Sequence, residues 1–411
     1  MPAFFVFSLM ILQGFYNFYR TILLWLVSLG VFFMKLQNII IIFIIIVAIV
    51  FVTFFVFNQT EEIKVGVLVN LSGSHSDVGI DIRDGVRLAV DEVNRSELLE
   101  GFQIELMIRD HEMDIKKANA AIEEFNESGV EVIIGPTLSG MVMSVINKVN
   151  ELDMIMLSPT SGSKALISTD NNLFRMVPSS EEEQRIVVND ILNKYPDARV
   201  AFIYDRSNFA FTSDWRQQLS HRLLRGGGRL VESNAYDFTR LDNHKVPIHN
   251  LSNDFDALVI AANPIDTAML VQNYYNTFGD DIKQVYATRW SFDRSLMDYG
   301  GKSVEGIIIP HPWKYDRGSY RESEFNLSFN KYYNRMPNFG AYYGYEAVLV
   351  LKELLADGVR YHSEDIKNEL ESGRSFNGLE EIMRFNRFGD AIRTIHLYRI
   401  ENGDFRRIDD R

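Results

Sequence analysis

The sequence predicts an α/β protein: parallel β-sheets covered by helices on both faces, built as two successive units. Three observations predict it. Short apolar runs alternate with stretches whose apolar residues recur at helical spacing. The runs read as strands buried on both faces, as in parallel sheets. The series also begins twice, before and after "LFRMVPSSEEE" at 173–183.

Taken in order, "IKVGVLVNL" (63–71) is a buried strand, and the following helix places Ile82, Val86, Ala89, Val90 and Val93 on one face. "QIELMIRD" (103–110) is a strand, and "IKKANAAIEEFNES" (115–128) is a helix ended by Gly129. "VEVIIGP" (130–136) is a strand with its closing turn. It leads into a helix carrying Val142, Val145, Ile146, Val149 and Leu152, and then into the strand "MIMLSP" (154–159). The second series has the strands "ARVAFIYD", "GRLVESNAY", "ALVIAAN", "KQVYATRW" and "EGIIIP", with "RGGGR" (225–229) as a helix-to-strand turn. Helical material follows from 322 to 357 and in "HSEDIKNELESG". The C-terminal stretch is strand-rich, with turns at 388–390 and 402–404.

The first 57 residues carry only Arg20 and Lys35 as charges. Removing these two from 42 basic residues leaves 40 against 55 acidic ones, a net of −15 on the remainder. Such a surface repels nucleic acid and anionic lipid, so no nucleic-acid partner is expected. There are no cysteines, which excludes disulfides, thiolate metal sites and a cysteine nucleophile. The eight histidines are scattered, the nearest pair being His244 and His249, and no structural metal or cofactor is expected.

Residues 39–57 ("IIIIFIIIVAIVFVTFFVF") form 19 uncharged residues, close to the roughly 20 that cross a bilayer as a helix. The flank lacks the small residues of a cleavage site, so the expectation is an uncleaved anchor. Lys35 before it and Glu61 and Glu62 after it place the large domain outside the cell membrane. The apolar stretch 3–34, interrupted by Gln13, Asn17 and Arg20, leaves two readings open: a second span, or an extension upstream of a start at Met34.

In open parallel sheets, ligands sit beyond the carboxyl ends of strands, against helix N-termini. "GPTLSG" (135–140) and "LSPTSGS" (157–163) are two such turns, rich in hydroxyls and backbone N–H groups, and suited to a carboxylate. Ser139 is then a ligand contact, or alternatively a helix cap. The acidic loop of Asp110, Glu112 and Asp114 reads as solvated surface. No phosphate loop, dinucleotide fingerprint or GxSxG elbow occurs, so an enzyme is not expected.

The chain from 63 to 408 resembles the type I periplasmic binding proteins, in the leucine/isoleucine/valine-binding branch that serves amino-acid ABC transporters. The resemblance rests on the order of "IKVGVLVNLSG", "GIDIRDGVRLAVDEVN", "IRDHEMDIKKANAAIEEF", "VEVIIGPTLSG", "LFRMVPSSEEEQ", "VAFIYDRSNFAFT", "GGKSVEGIII", "YYGYEAVLVLKEL" and "FNGLEEIMRFNRFGD". It implies two Rossmann-like lobes joined by a three-stranded hinge, with chain crossings near 175–179, 310–313 and 375–379. The implied division is a hydrophobic N-terminal region at 1–58, lobe 1 at 62–178 plus 314–373, and lobe 2 at 179–313 plus 374–411.

The resemblance also implies a site. The family's carboxylate-binding serine falls on Ser139, and its second turn on Thr160, Ser161 and Gly162. A threonine there is replaced by Gly162, with Thr160, Ser161 and Ser163 as substitutes. Tyrosines of the family fall on Val78 and Phe209. The acidic residue that pairs with a ligand ammonium falls on Arg289, which like charge forbids from that role. Arg289 is left for a second carboxylate, as in a dicarboxylate or an amide-like acid, or for an outward salt bridge. Trp290 is an apolar wall or a core residue, and Leu138 and Asn263 complete the expected ligand contacts. The function implied is capture of a small polar ligand, an amino acid or related carboxylate or amide, for an ABC transporter permease. A sensing ectodomain that signals through a membrane partner is the alternative.

Overall fold

The computed structural model describes residues 61–408 apart from 74, 97–100, 168–170, 239–244 and 314–319, together with five isolated positions between 14 and 48. The chain divides into two units, Met1–Glu61 and Glu62–Arg411. The expected span at 39–57 lies outside the described residues apart from positions 47 and 48, as does all but three residues of the stretch 3–34. Among the described residues no helix is long and apolar enough to cross a membrane.

In the second unit, chain order runs β1 (Glu61–Val69), α1 (Ser76–Arg95), β2 (Phe102–Asp110), α2 (Ile115–Glu127), β3 (Val132–Ile134), α3 (Ser139–Glu151), β4 (Ile155–Ser158) and β5 (Leu173–Arg175). These strands make a five-stranded sheet in the order β2-β1-β3-β4-β5. Its registers Val65↔Val132, Val132↔Ile155 and Met156↔Leu173 are parallel. β3 and β4 are buried along their whole length, which is why the sequence shows unbroken apolar runs there. Asp114 begins α2 by accepting from the N–H groups of Lys116 and Lys117.

The second series continues through α4 (Ser180–Lys194), β6 (Arg199–Asp205), α5 (Phe209–Arg225), β7 (Arg229–Tyr236), α6 (Lys245–His249), β8 (Ala257–Ala261), α7 (Pro264–Phe278), β9 (Gln284–Ala287), α8 (Arg294–Gly300) and β10 (Ile308–His311). Then come α9 (Tyr320–Tyr333), α10 (Phe339–Ala356), α11 (Ser363–Glu371), the short pair β11 (Phe376–Asn377) and β12 (Ile382–Met383), and the hairpin β13 (His396–Glu401) and β14 (Asp404–Arg407). The second sheet has seven strands in the order β14-β13-β10-β9-β8-β6-β7. It is parallel from β7 to β10 and antiparallel at the β10–β13 and β13–β14 pairs. The α/β architecture with parallel sheets is thus as the sequence predicts.

Two departures are instructive. β5 lies inside "LFRMVPSSEEE", which reads as a break; three residues are too few to show a period. The helical stretch 322–357 is two helices, because Pro337 disfavours helical backbone before it and the Asn338 side chain caps α10.

The last helices return to the first sheet. A Cβ on Gly85 would lie 2.0 Å from the Ala341 carbonyl oxygen, and one on Gly344 would lie 2.6 Å from that of Ile82. Only small residues let α1 and α10 cross at this distance, and the crossing fixes Phe339 at the start of α10. Residues 389–393 then run beside the end of β5. Arg175 N–H donates to the Gly389 carbonyl (2.7 Å), Ala391 N–H donates to that of Arg175 (2.9 Å), and Arg175 Nε donates to Asp390 (2.6 Å). Arg393 donates to the Met176 carbonyl (2.9 Å) and pairs with Glu346, both side chains being fully buried. Breaking one partner of a pair this deep leaves an uncompensated charge and costs about 3–5 kcal/mol.

Candidate functional site

The turns after five strands converge on one cavity. From the first sheet come His75, beyond β1; Thr137, Leu138 and Ser139, beyond β3; and Thr160, beyond β4. From the second come Asn208 and Phe211, beyond β6, and Arg289 and Trp290, beyond β9. Val78 and Phe339 close it. Its free volume is about 30 Å³, well below that of an ordinary small-molecule pocket. The two walls therefore lie against each other here and must part to admit a ligand. Across the cleft His75 Nε2 meets Ser207 Oγ at 2.8 Å, with Asp205 Oδ2 at 3.8 Å behind it, and the imidazole packs on Trp290. Burial pushes the Asp205 carboxyl up, against the lowering effect of its bonds from Ser207.

Ser139 is neither a simple cap nor a free donor. α3 is entered through Leu138, which makes no side-chain cap. The Ser139 hydroxyl accepts from the N–H groups of Gly162 and Ser163, both at 3.2 Å, and so ties the two turns together. Its proton is still available to donate. Thr160 donates to the Thr137 carbonyl at 2.7 Å, and Ser161 pairs with Ser158 at 2.5 Å behind the wall. Ser163 donates to the Ala210 carbonyl at 2.8 Å, linking this turn to the N-terminus of α5.

Arg289 is 4% exposed and lies on the cavity wall. Its Nη1 donates to the Pro178 carbonyl (3.1 Å) and pairs with Glu183 in the first turn of α4. The expected outward salt bridge is thus an inward, buried one. Burial pushes the Glu183 carboxyl up to about 7, with the Arg289 charge opposing that rise. Arg289 Nη2 has no partner, and neither do two further buried atoms on the same wall, Thr137 Oγ1 and Asn208 Oδ1. Buried polar groups are nearly always bonded, so three orphans on residues that line one cavity mark where a polar ligand or water docks.

Four expected contacts do not line the cavity: Ser161 and Gly162, in the second turn, and Phe209 and Asn263. Phe209 is 58% exposed and does not line the cavity, because it opens α5 on the outer side. Phe211, two residues on, is 4% exposed and faces the site against Trp290. Asn263 caps α7, accepting from Asp266 N–H, and is not on the wall. Asp110 of the acidic loop receives the Leu71 and Glu112 N–H groups, a local backbone duty. Among the described residues no group of three or more side chains could hold a metal.

A profile of the family described as periplasmic binding protein matches residues 62–404. The chain belongs to the periplasmic binding protein family. The type I resemblance read from the motifs agrees with its relatives. The Leu/Ile/Val-binding protein BraC3 of Rhizobium johnstonii is 24% identical over 149 residues, 36% of this chain and 41% of that protein. The match thus spans about two fifths of the length of such curated relatives. The fold is that of the branched-chain amino acid transporter substrate binding protein of Streptococcus pneumoniae, solved with isoleucine. That likeness has a TM-score of 0.73 at 18% identity, over 84% of this chain and 98% of that one. It is equally that of a solute binding protein from R. palustris solved with benzoate, with a TM-score of 0.72 at 17% identity, over 84% and 95%.

In this periplasmic binding protein, sequence reasoning missed His75, Thr137, Asn208, Phe211, Phe339 and the Arg289–Glu183 pair. Thr137 was legible, since it lies inside the GPTLSG turn, and Asn208 and Phe211 lie in the matching turn after β6. Glu183 was not, because 106 residues separate it from Arg289.

Proposed function

We propose that this chain is the solute-capturing component of an ABC importer. It would close around a small polar ligand in the cleft between its two sheets, acting as two lobes about a hinge near Arg175 and residues 389–393. The observation that carries this reading is a cavity walled by residues beyond strand ends of both sheets, three of which carry an unpartnered buried polar atom. Relatives solved with isoleucine and with benzoate support it, as does membership of a family that binds solutes rather than transforming them. The apolar stretch 39–57 would hold the binding unit at the outer face of the membrane. Delivery to a permease is preferred over sensing; co-purification with a permease separates the two.

The test is a thermal-shift screen of the full chain in detergent against amino acids, carboxylates and amides. A stabilising ligand that binds one to one and is recovered unchanged is expected. No stabilisation by any class contradicts capture, and consumption of the ligand contradicts a binding role.

A further inference from the structure

We infer that the ligand of this cleft is a small monocarboxylate with an apolar body and no ammonium group, held by Arg289, which itself fills the space left by Gly162. This rests on the solute-capture reading above.

Charge comes first. The wall carries the Arg289 guanidinium, and none of its residues is Asp or Glu. An ammonium group would face a guanidinium whose carboxylate partner, Glu183, is fully buried and not on the wall, whereas a ligand carboxylate meets a charge-assisted donor. Stoichiometry comes next. Arg289 Nη1 is committed to Glu183 and Pro178, and Nη2 is buried without a partner. The wall has no lysine and no second arginine, so it offers a cationic donor to one ligand carboxylate and none to a second. That separates a monocarboxylate from the dicarboxylate the sequence left open.

Position agrees. The ideal Cβ of Gly162 would stand 1.5 Å from Arg289 Nη2, so the guanidinium lies directly on the second turn. Ser139, which accepts from Gly162 N–H, is therefore close by and keeps its proton to donate. Thr137 Oγ1, 3% exposed on its residue and unpartnered, adds a further hydroxyl. Besides the polar Thr160 and Asn208, the rest of the wall is apolar, formed by Val78, Leu138, Phe211, Trp290 and Phe339. The five apolar side chains fit a branched alkyl or aromatic body, and Asn208 Oδ1 remains as one acceptor beside it.

The experiment is calorimetry on the full chain in detergent with matched pairs: 4-methylpentanoate against leucine, 3-phenylpropanoate against phenylalanine, with benzoate and glutarate alongside. At least one monocarboxylate should bind about tenfold or more tighter than its amino-acid partner, and glutarate no tighter than the monocarboxylates. An amino acid that binds as tightly as its amine-free partner overturns the inference while capture stands. It is overturned in the same way if all the acids fail and the thermal-shift screen yields an uncharged or cationic ligand. If that screen yields nothing, capture itself fails and the inference falls with it. The double variant Arg289→Met, Glu183→Met removes the pair without orphaning a charge. It should lose about tenfold or more in monocarboxylate affinity with its melting temperature retained, and unchanged affinity overturns the role of Arg289.

Discussion

Gly162 and Arg289 divide a space that no larger residue at 162 could share: a Cβ on the glycine would stand 1.5 Å from the guanidinium Nη2. The two residues are therefore one physical unit. The small residue makes room for the large cation. The cation in turn takes its counter-charge from Glu183 across 106 residues of sequence.

Gly162→Ala should consequently behave as an overpacked core substitution although it adds one methyl. The guanidinium has to leave its seat, which costs about 1–3 kcal/mol, read by urea unfolding. In an Arg289→Ala background the same change should cost less than about 0.5 kcal/mol, because the clash is gone. Equal penalties in both backgrounds contradict the shared-space account.

Ser139→Ala tests the tie between the two turns. Removing the hydroxyl leaves the Gly162 and Ser163 N–H groups without their acceptor inside the protein. Unsatisfied buried donors cost about 1–3 kcal/mol, so the melting temperature should drop along with ligand affinity. A variant as stable as the parent means that Ser139 does not hold the turns.

Ligand affinity should depend on pH through Glu183. Its carboxyl is pushed up to about 7 by burial, and the charged groups facing it are Arg289, from the turn after β9, and Asp214, from α5. Above about pH 7 ionised Glu183 competes for the guanidinium and repels a ligand carboxylate. Below it the protonated acid frees Arg289. Monocarboxylate binding should therefore tighten as pH falls from 8 to 6, by up to about tenfold. His75 is the other titratable group on the wall, so Glu183→Gln is the control: it should flatten the Glu183 share of the profile. Binding that weakens over this range contradicts the competition.

The architecture was legible because buried parallel strands leave unbroken apolar runs, as in β3 and β4, and because caps such as Asp114 and Asn338 mark helix starts. The first half of the site was legible because its residues lie in contiguous turns, GPTLSG and LSPTSGS. The second half was not. Phe209 and Phe211 differ by two positions at the start of α5, and only the helix entry decides which faces inward. Asn263 carried a readable cap signature, Asn-Pro-x-Asp, and its role as a cap follows from that rather than from a place in the cleft. The pairing of Arg289 with Glu183 is purely tertiary.

The central claim is that one solute closes this cleft, and the absence of native cysteines makes a direct measurement possible. Spin labels at Glu127→Cys on α2 and Gln217→Cys on α5, both exposed, report the distance between elements of the two halves. In the full chain without ligand the distribution should be broad, since the cavity must open to be filled. The ligand found in the screen should collapse it to one narrow population, and His75→Ala, which removes the cross-cleft bond to Ser207, should need more ligand to do so. A distribution that is identical with and without saturating ligand would contradict the account.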